Sequence, residues 1–550
     1  MKTRLLSATL KATALLGVPA ALVTPLSAQY FIADELQVGP STQLTLELPM
    51  LRGDTPATGN GWSSTPIFTI GETAGSYQPV GILDGIYAFP QGEDSALVLV
   101  NHELSNSLGY AYTLENGTQL TGARISHIKL TRTISALGVP QVSITRMGLA
   151  YDRVYDRAYQ LVTSAAQINE TGHATNGFDR FCSSNGVRAG TYGFVDAIYF
   201  TGEETGKPFH PHGGSFWALD VRQKAIWAVP ALGRGNWENV SPLQTGIPGT
   251  VALLLGDDSE SAPLYLYVGV KDAIGDGSFL DRNGLRIGQL YAWMADNGDL
   301  TPEQFHTVNS SRAGQFVPVD VQAPMFAGQA GYDGQGYLDL DTLQAQADFN
   351  GCFSFSRPED LATNPYDPTQ AAFASTGRGQ LFPSDNWGDV YVVDVDFSDL
   401  SAELVIIHDA DHLPVPDAGI RNPDNLDWGQ DGKVYITEDR STNPASAFGA
   451  VTGIEASVWR LDPVTRAFVR AAVVDRTVVA PAGTTDSGVG QIGHWEASGV
   501  LDVTPLFGTL PGERLLLVDV QAHGIKDGAI GGNPLLVEGG QLLFLSKIGH

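Results

Sequence analysis

The chain of 550 residues is poor in cysteine, poor in bases and, beyond its amino-terminal start, without a long apolar run. Cys182 and Cys352 are its two cysteines, too few for a scaffold stapled by many disulfides. One long-range bridge between them is the plain expectation in an oxidising compartment. Lysine and arginine number 32 against 60 aspartates and glutamates, a formal net charge of −28. So acidic a surface repels nucleic acid and anionic lipid, and excludes both as partners. It also repels a phosphorylated small molecule unless cations reverse the field locally. Disorder is excluded by 43% hydrophobic residues and nine tryptophans, which call for a packed core. There is no Gly-x-Ser-x-Gly elbow, phosphate-loop lysine motif or His-Glu-x-x-His pair, so serine-hydrolase, nucleotide-loop and zincin readings lose support. Helical periodicity is scarce, and its best stretch, Leu340 to Ala347, is short.

Residues 1–28 read as a general secretory signal. Lys2, Arg4 and Lys11 form a basic lead, an apolar run follows to Val23, and Leu26-Ser27-Ala28 has the small-x-small pattern of a cleavage site. Without these three bases the remaining chain carries 29 against 60, or −31. The expectation is a periplasmic or extracellular monomer with no membrane span.

Residues 29–550 show no linker and read as one domain. Their 63 glycines and 31 prolines are spread as turn punctuation, the habit of all-β proteins. A faint repeat recurs as a polar turn followed by a short apolar strand. It is seen from Ile125, Phe216, Leu290, Val390, Val458 and Leu542, and Gly288-Gln-Leu-Tyr and Gly540-Gln-Leu-Leu are the nearest pair. Six uneven copies predict an all-β fold, a six-bladed β-propeller with long inserted loops. The last copy stands where it could pair with amino-terminal strands and close the ring.

Carboxylates gather at strand ends beside glycine and aromatics. They occur in Asn101-His102-Glu103, Gly202-Glu203-Glu204, Gly256-Asp257-Asp258, Pro358-Glu359-Asp360, Pro423-Asp424-Asn425, Glu438-Asp439 and Trp495-Glu496. Any one of these reads as a solvated turn. Seven in a chain with so few bases read as cation ligands, since paired acids without basic partners hold cations. Oxygen ligands alone suit calcium or magnesium, whereas a thiolate among them admits iron or zinc. His210 and His212, and His408 and His412, are weaker candidates that fit surface loops as well.

The ordered set Phe178-Asp-Arg-Phe-Cys-Ser183, Gly202-Glu-Glu204, Trp237-Glu238, Asp257, Arg357-Pro-Glu359, Pro423-Asp-Asn425 and Glu438-Asp439 resembles the PhoX-type alkaline phosphatases. Glu496-Ala-Ser-Gly-Val and Asp519-Val-Gln-Ala-His523 are similar to further segments of that family. The resemblance implies a secreted β-propeller that hydrolyses small-molecule phosphate monoesters with ferric iron and calcium. Carried over, it implies Cys182, Glu238 and Glu359 as iron ligands, with Glu359 also reaching calcium. Glu203 or Glu204, Asp257, Asp424, and Glu438 or Asp439 would hold calcium, and Arg357 would contact the phosphate. Cys182 as an iron ligand competes directly with the bridge to Cys352. The family's common twin-arginine signal is lacking here. The alternatives are a calcium-stabilised propeller acting on phytate, a diester or a lactone, and a non-catalytic binding propeller.

Overall fold

The computed structural model describes residues 44–53, 61–168, 175–206, 210–531 and 536–549. The expected signal over residues 1–28 lies outside them. Among the described residues the chain is mostly antiparallel β-structure, and its longest helix is Leu340–Phe349. Asp339 starts that helix by accepting the Thr342 amide at 2.9 Å. Among the described residues no helix is long and apolar enough to cross a membrane.

Six inner strands form the centre: Leu83–Pro90, Phe181–Val187, Trp237–Leu243, Pro358–Thr363, Pro423–Trp428 and Glu496–Asp502. Each packs on the next, and the sixth packs back on the first, so they close a ring. From each inner strand a meander of antiparallel strands runs outward, and the resulting architecture is β-propeller-like. The third and fourth sheets are joined at their outer edges through Ser311–Val319, which lies between Gly288–Ala295 and Ser401–Asp409. The carboxy-terminal strand Gly539–Ile548 lies between Glu513–Ala522 and Trp62–Thr69. Leu51–Gly53 adds an edge to the fifth sheet by pairing with Phe468–Val474.

Alternation explains why the sheets stack. In Thr250–Asp257, Val251, Leu253 and Leu255 pack towards one neighbouring sheet, and Ala252 and Leu254 pack towards the other. Strands covered on both faces therefore read as continuous apolar runs rather than as alternating ones.

Each inner strand breaks register once near its start. The breaks fall between Leu83 and Ile86, Phe181 and Ser184, Trp237 and Val240, Pro358 and Leu361, Pro423 and Leu426, and Ala497 and Val500. A bulge frees residues from the ladder and re-aims their side chains. Repeated around the ring, it turns one position of every inner strand into a possible ligand.

Candidate metal centre

Asp84, Cys182, Glu238, Glu359 and Asp424 each follow the last paired residue before a bulge, and Ser498 holds that place in the sixth strand. Two residues ahead of four of them the backbone is left-handed at a non-glycine residue: Ile82 (φ 51°), Arg180 (φ 45°), Arg357 (φ 71°) and Asn422 (φ 43°). Such backbone is costly and persists only where surrounding structure enforces it. A second set comes from the next strands outward, at the residue just past each strand end. Glu103 follows Ser95–His102, Glu204 follows Ile198–Glu203, Asp258 follows Thr250–Asp257, and Asp439 follows Val434–Glu438. Thr376 has this place in the fourth sheet.

These side chains converge. Ligand atoms of Asp84, Glu103 and Cys182 lie within 4.8 Å of one another, as do those of Cys182, Glu204 and Glu238. The Cys182 thiol donates to Asp84 Oδ2 at 3.2 Å. Asp84 also accepts from Asn425 Nδ2 at 3.1 Å and Gln521 Nε2 at 3.0 Å, while Ser183 N donates to Glu238 Oε1 at 3.1 Å. Arg357 meets Asp258 with two prongs, Nε to Oδ1 at 2.5 Å and Nη2 to Oδ2 at 2.9 Å, and lies 2.7 Å from Glu359 Oε1. Its Nη1 donates to Ser441. Arg180 joins Glu103, at 3.1 Å, to Glu204. At the margin Glu496 meets His523 at 3.4 Å, and His523 meets Glu538 at 2.7 Å.

Burial, then neighbouring acids, drive the carboxyls of Asp84 and Glu238 and the Cys182 thiol well above their ordinary ranges. Burial likewise lifts Glu204, Glu359 and Asp424, against the pull of Arg180 on Glu204 and of Arg357 on Glu359. Burial opposes ionisation of Asp258 too, but Arg357 overcomes it and holds that carboxyl below its usual range. Like charges so close cannot all ionise without counter-charge. Arg180 and Arg357 are too few to supply it. Glu359 Oε1 is buried and takes no aligned hydrogen bond despite its proximity to Arg357. Crowded carboxylates, one thiol and a buried acceptor left over make a donor set suited to hard cations, with a softer metal at the sulfur.

The residues singled out from sequence fall into two groups. Cys182, Glu204, Glu238, Glu359, Asp424 and Arg357 come together here, and the charge of half-buried Asp439 acts on Arg357 and Glu496. Glu203, Asp257 and Glu438 are turned away. Glu203 accepts the Asp179 and Ser215 amides at 3.1 and 3.2 Å, and burial lifts it to about 7. Asp257 accepts the Asn236 amide at 3.3 Å and Gln344 Nε2 at 3.2 Å, and burial lifts it to about 7. Glu438 meets Arg421 Nη2 at 2.6 Å and Trp459 Nε1 at 2.8 Å. Successive strand residues face opposite ways. In the pairs Glu203-Glu204, Asp257-Asp258 and Glu438-Asp439 the second member therefore faces the cluster, whereas in Glu359-Asp360 the first does and Asp360 accepts the Leu426 amide at 2.7 Å.

Both cysteines are free and buried. Cys352 packs in the core with its thiol 3.8 Å from the Ala292 carbonyl. His408 accepts the Ile420 amide and His412 pairs with Asp409, both apart from the cluster. Sequence reasoning gave no site role to Asp84 or Arg180, and it gave no individual role to Glu103, Asp258 and Glu496. The last three stood in strand-end motifs, and the position just past a second strand would have selected Glu103 and Asp258. Asp84, in Leu83-Asp84-Gly85, carries no motif, and its inner-strand register alone marks it.

The centre is an acidic cluster at the middle of a β-propeller-like ring, and comparison with known proteins narrows its reading. Residues 220–459 match the family model described as alkaline phosphatase PhoX. That span holds Glu238, Asp258, Arg357, Glu359, Asp424 and Asp439, and it starts beyond Cys182 and Glu204. The solved structure of Pseudomonas fluorescens PhoX in complex with vanadate, a transition state analogue, aligns with 93% of this chain and 98% of its own, at TM-score 0.58 and 16% identity. The resemblance to the PhoX-type alkaline phosphatases thus holds in sequence over the central segment and in fold over nearly the whole chain, and it supports a phosphatase. A luciferin-regenerating enzyme also aligns, over 63% of this chain and 87% of its own, at TM-score 0.23 and 12% identity. A GH43 β-1,3-galactosidase aligns over 71% and 92%, at TM-score 0.29 and 7% identity. No curated protein matches the sequence.

Proposed function

We propose that this chain is an exported, metal-dependent phosphatase of phosphate monoesters. The observation that carries the reading is the crowding of Asp84, Cys182, Glu204, Glu238, Glu359 and Asp424 with too little counter-charge. A protein this acidic meets a dianionic ester productively only where cations invert the local field. Cys182, Glu238 and Glu359 would hold ferric iron. Glu204, Asp258, Asp424 and Asp439 would hold calcium, with Asp258 in the place expected of Asp257. Bound there, the ions would supply charge neutralisation and an activated oxygen nucleophile for in-line attack.

The chain's own residues do the rest. Arg357 presents a planar two-pronged donor to the phosphoryl oxygens, a match that lysine lacks. Asp258, Glu359 and Ser441 fix its plane, so little reorganisation is needed as charge develops. The likeness in fold to Pseudomonas fluorescens PhoX, solved with vanadate, supports phosphoryl chemistry for this chain. A monomer working outside the cytoplasm on small soluble esters completes the reading.

Elemental analysis together with turnover of an aryl phosphate monoester tests it. Iron and calcium in the purified protein, with activity lost on chelation, are expected. Calcium alone with no monoester turnover would return the chain to a different ester or to a binding role. Chelation that leaves activity and melting temperature unchanged would remove the metals from the reading.

A further inference from the structure

The two arginines of the centre occupy equivalent positions. Arg180 stands two residues before Cys182, and Arg357 two residues before Glu359, each at the entry to an inner strand and each in left-handed backbone. Each guanidinium bridges two carboxylates from neighbouring elements, Glu103 and Glu204 for Arg180, Asp258 and Glu359 for Arg357. The two units are neighbours, and the negative charge of Asp258 raises the Glu204 carboxyl. Arg180 and Arg357 thus each hold one of two neighbouring acids, Glu204 and Asp258. They differ in access: the Arg180 side chain is 32% exposed and that of Arg357 is 8% exposed. Arg180 uses Nε and Nη2 for its carboxylates, and among the described residues Nη1 makes no hydrogen bond. In Arg357 the same atom reaches Ser441.

We propose that Arg180 is a second phosphate-gripping side chain, matched to Arg357, which contacts the phosphoryl oxygens of the bound ester from the Glu204 side of these neighbouring acids. The proposal rests on the phosphatase reading and adds a residue to it. An arginine needed only to neutralise Glu103 and Glu204 could be fully covered; this one keeps a free prong and an open side. Cations on the carboxylates would take over part of their neutralisation and leave both guanidinium groups freer for an anion. A phosphate held from two sides gains orientation as well as charge, because each planar fork accepts a limited set of approaches.

Inorganic phosphate is the probe, bound to the metal-loaded enzyme and followed by calorimetry and by competitive inhibition of an aryl phosphate. Arg180→Ala should weaken phosphate binding about tenfold or more and raise KM more than it lowers kcat, with metal content per folded chain unchanged. Arg180→Lys should recover part of the affinity, since it restores charge without the fork. Unaltered phosphate affinity in Arg180→Ala at full metal content would overturn the proposal. Where the alanine variant fails to fold or to hold metal, Arg180→Lys decides. Weaker phosphate binding in a fully loaded lysine variant supports the fork, and wild-type affinity refutes it. A wild-type enzyme that neither binds phosphate nor turns over the ester sinks the phosphatase reading itself, and Arg357→Ala would then be equally silent.

Discussion

Glu438 and Asp439 are adjacent in sequence and live under opposite rules. Glu438 is sealed in the fifth sheet, where Arg421 and Trp459 satisfy its oxygens. Asp439 lies past the strand end, where its charge acts on Arg357 and Glu496. Glu203 against Glu204, and Asp257 against Asp258, repeat the contrast. The first of each pair is a structural acid held by amide, indole or guanidinium donors. The second adds to a surplus of negative charge that the protein's bases do not offset. Acid count therefore says little about cation binding; the face of the strand on which the acid falls says most.

The contrast can be broken most severely on the central side. Cys182→Ser should cost more than about a thousandfold in turnover, above about 4 kcal/mol, and remove the visible absorption that an iron–thiolate bond gives. Cys352→Ser should be nearly silent, and equal damage from both would point to a bridge between them. On the structural side, Glu438→Gln should destabilise the fold by about 3–5 kcal/mol, because Arg421 loses its main buried partner. Denaturant unfolding reads this, and metal content per folded molecule should stay at the wild-type value. Arg357→Ala should cost about 2–4 kcal/mol of transition-state stabilisation in kcat/KM, with partial rescue by lysine.

The sheets away from the centre give a pH test of their own. Burial holds His127 and His408 at about 4, below the ordinary value of 6.5. Between these values the unfolded chain binds more protons than the folded one. The stability each neutral imidazole contributes is whole above about 6.5 and is lost as pH falls towards 4, by about 2–3 kcal/mol each. His127→Gln should flatten the fall in melting temperature over that range, and an unchanged slope would acquit this residue. The smallest effect should be Asp257→Asn, about 1–2 kcal/mol in stability with normal metal content. A lost metal there would erase the distinction between the two members of a pair.

Much of this was legible from composition and pattern. Five of the six recurring apolar segments, those from Ile125, Phe216, Val390, Val458 and Leu542, are third strands of successive sheets, and the Leu290 segment is a fourth strand. A strand covered on both faces is a solid apolar run, which is why those copies stood out. The inner strands did not. They are short, bulged and polar at the axis, as in Pro423-Asp-Asn-Leu-Asp, so they read as turns. For the same reason Asp84 escaped notice. The strand-end acids were visible as pairs, but which member turns inward depends on register, and a one-residue slip exchanges the two faces.

Trp62–Thr69 and Gly539–Ile548, hydrogen-bonded side by side, come from opposite ends of the chain. The circle is thus fastened by a clasp that is hydrogen-bonded rather than covalent. A chain rejoined across that clasp and cut instead at the exposed turn near Gly298 should rebuild the same circle. Until the two ends meet, the sixth sheet lacks its outermost strand, so the clasp should be among the last contacts made and among the first that a mechanical pull on the ends undoes.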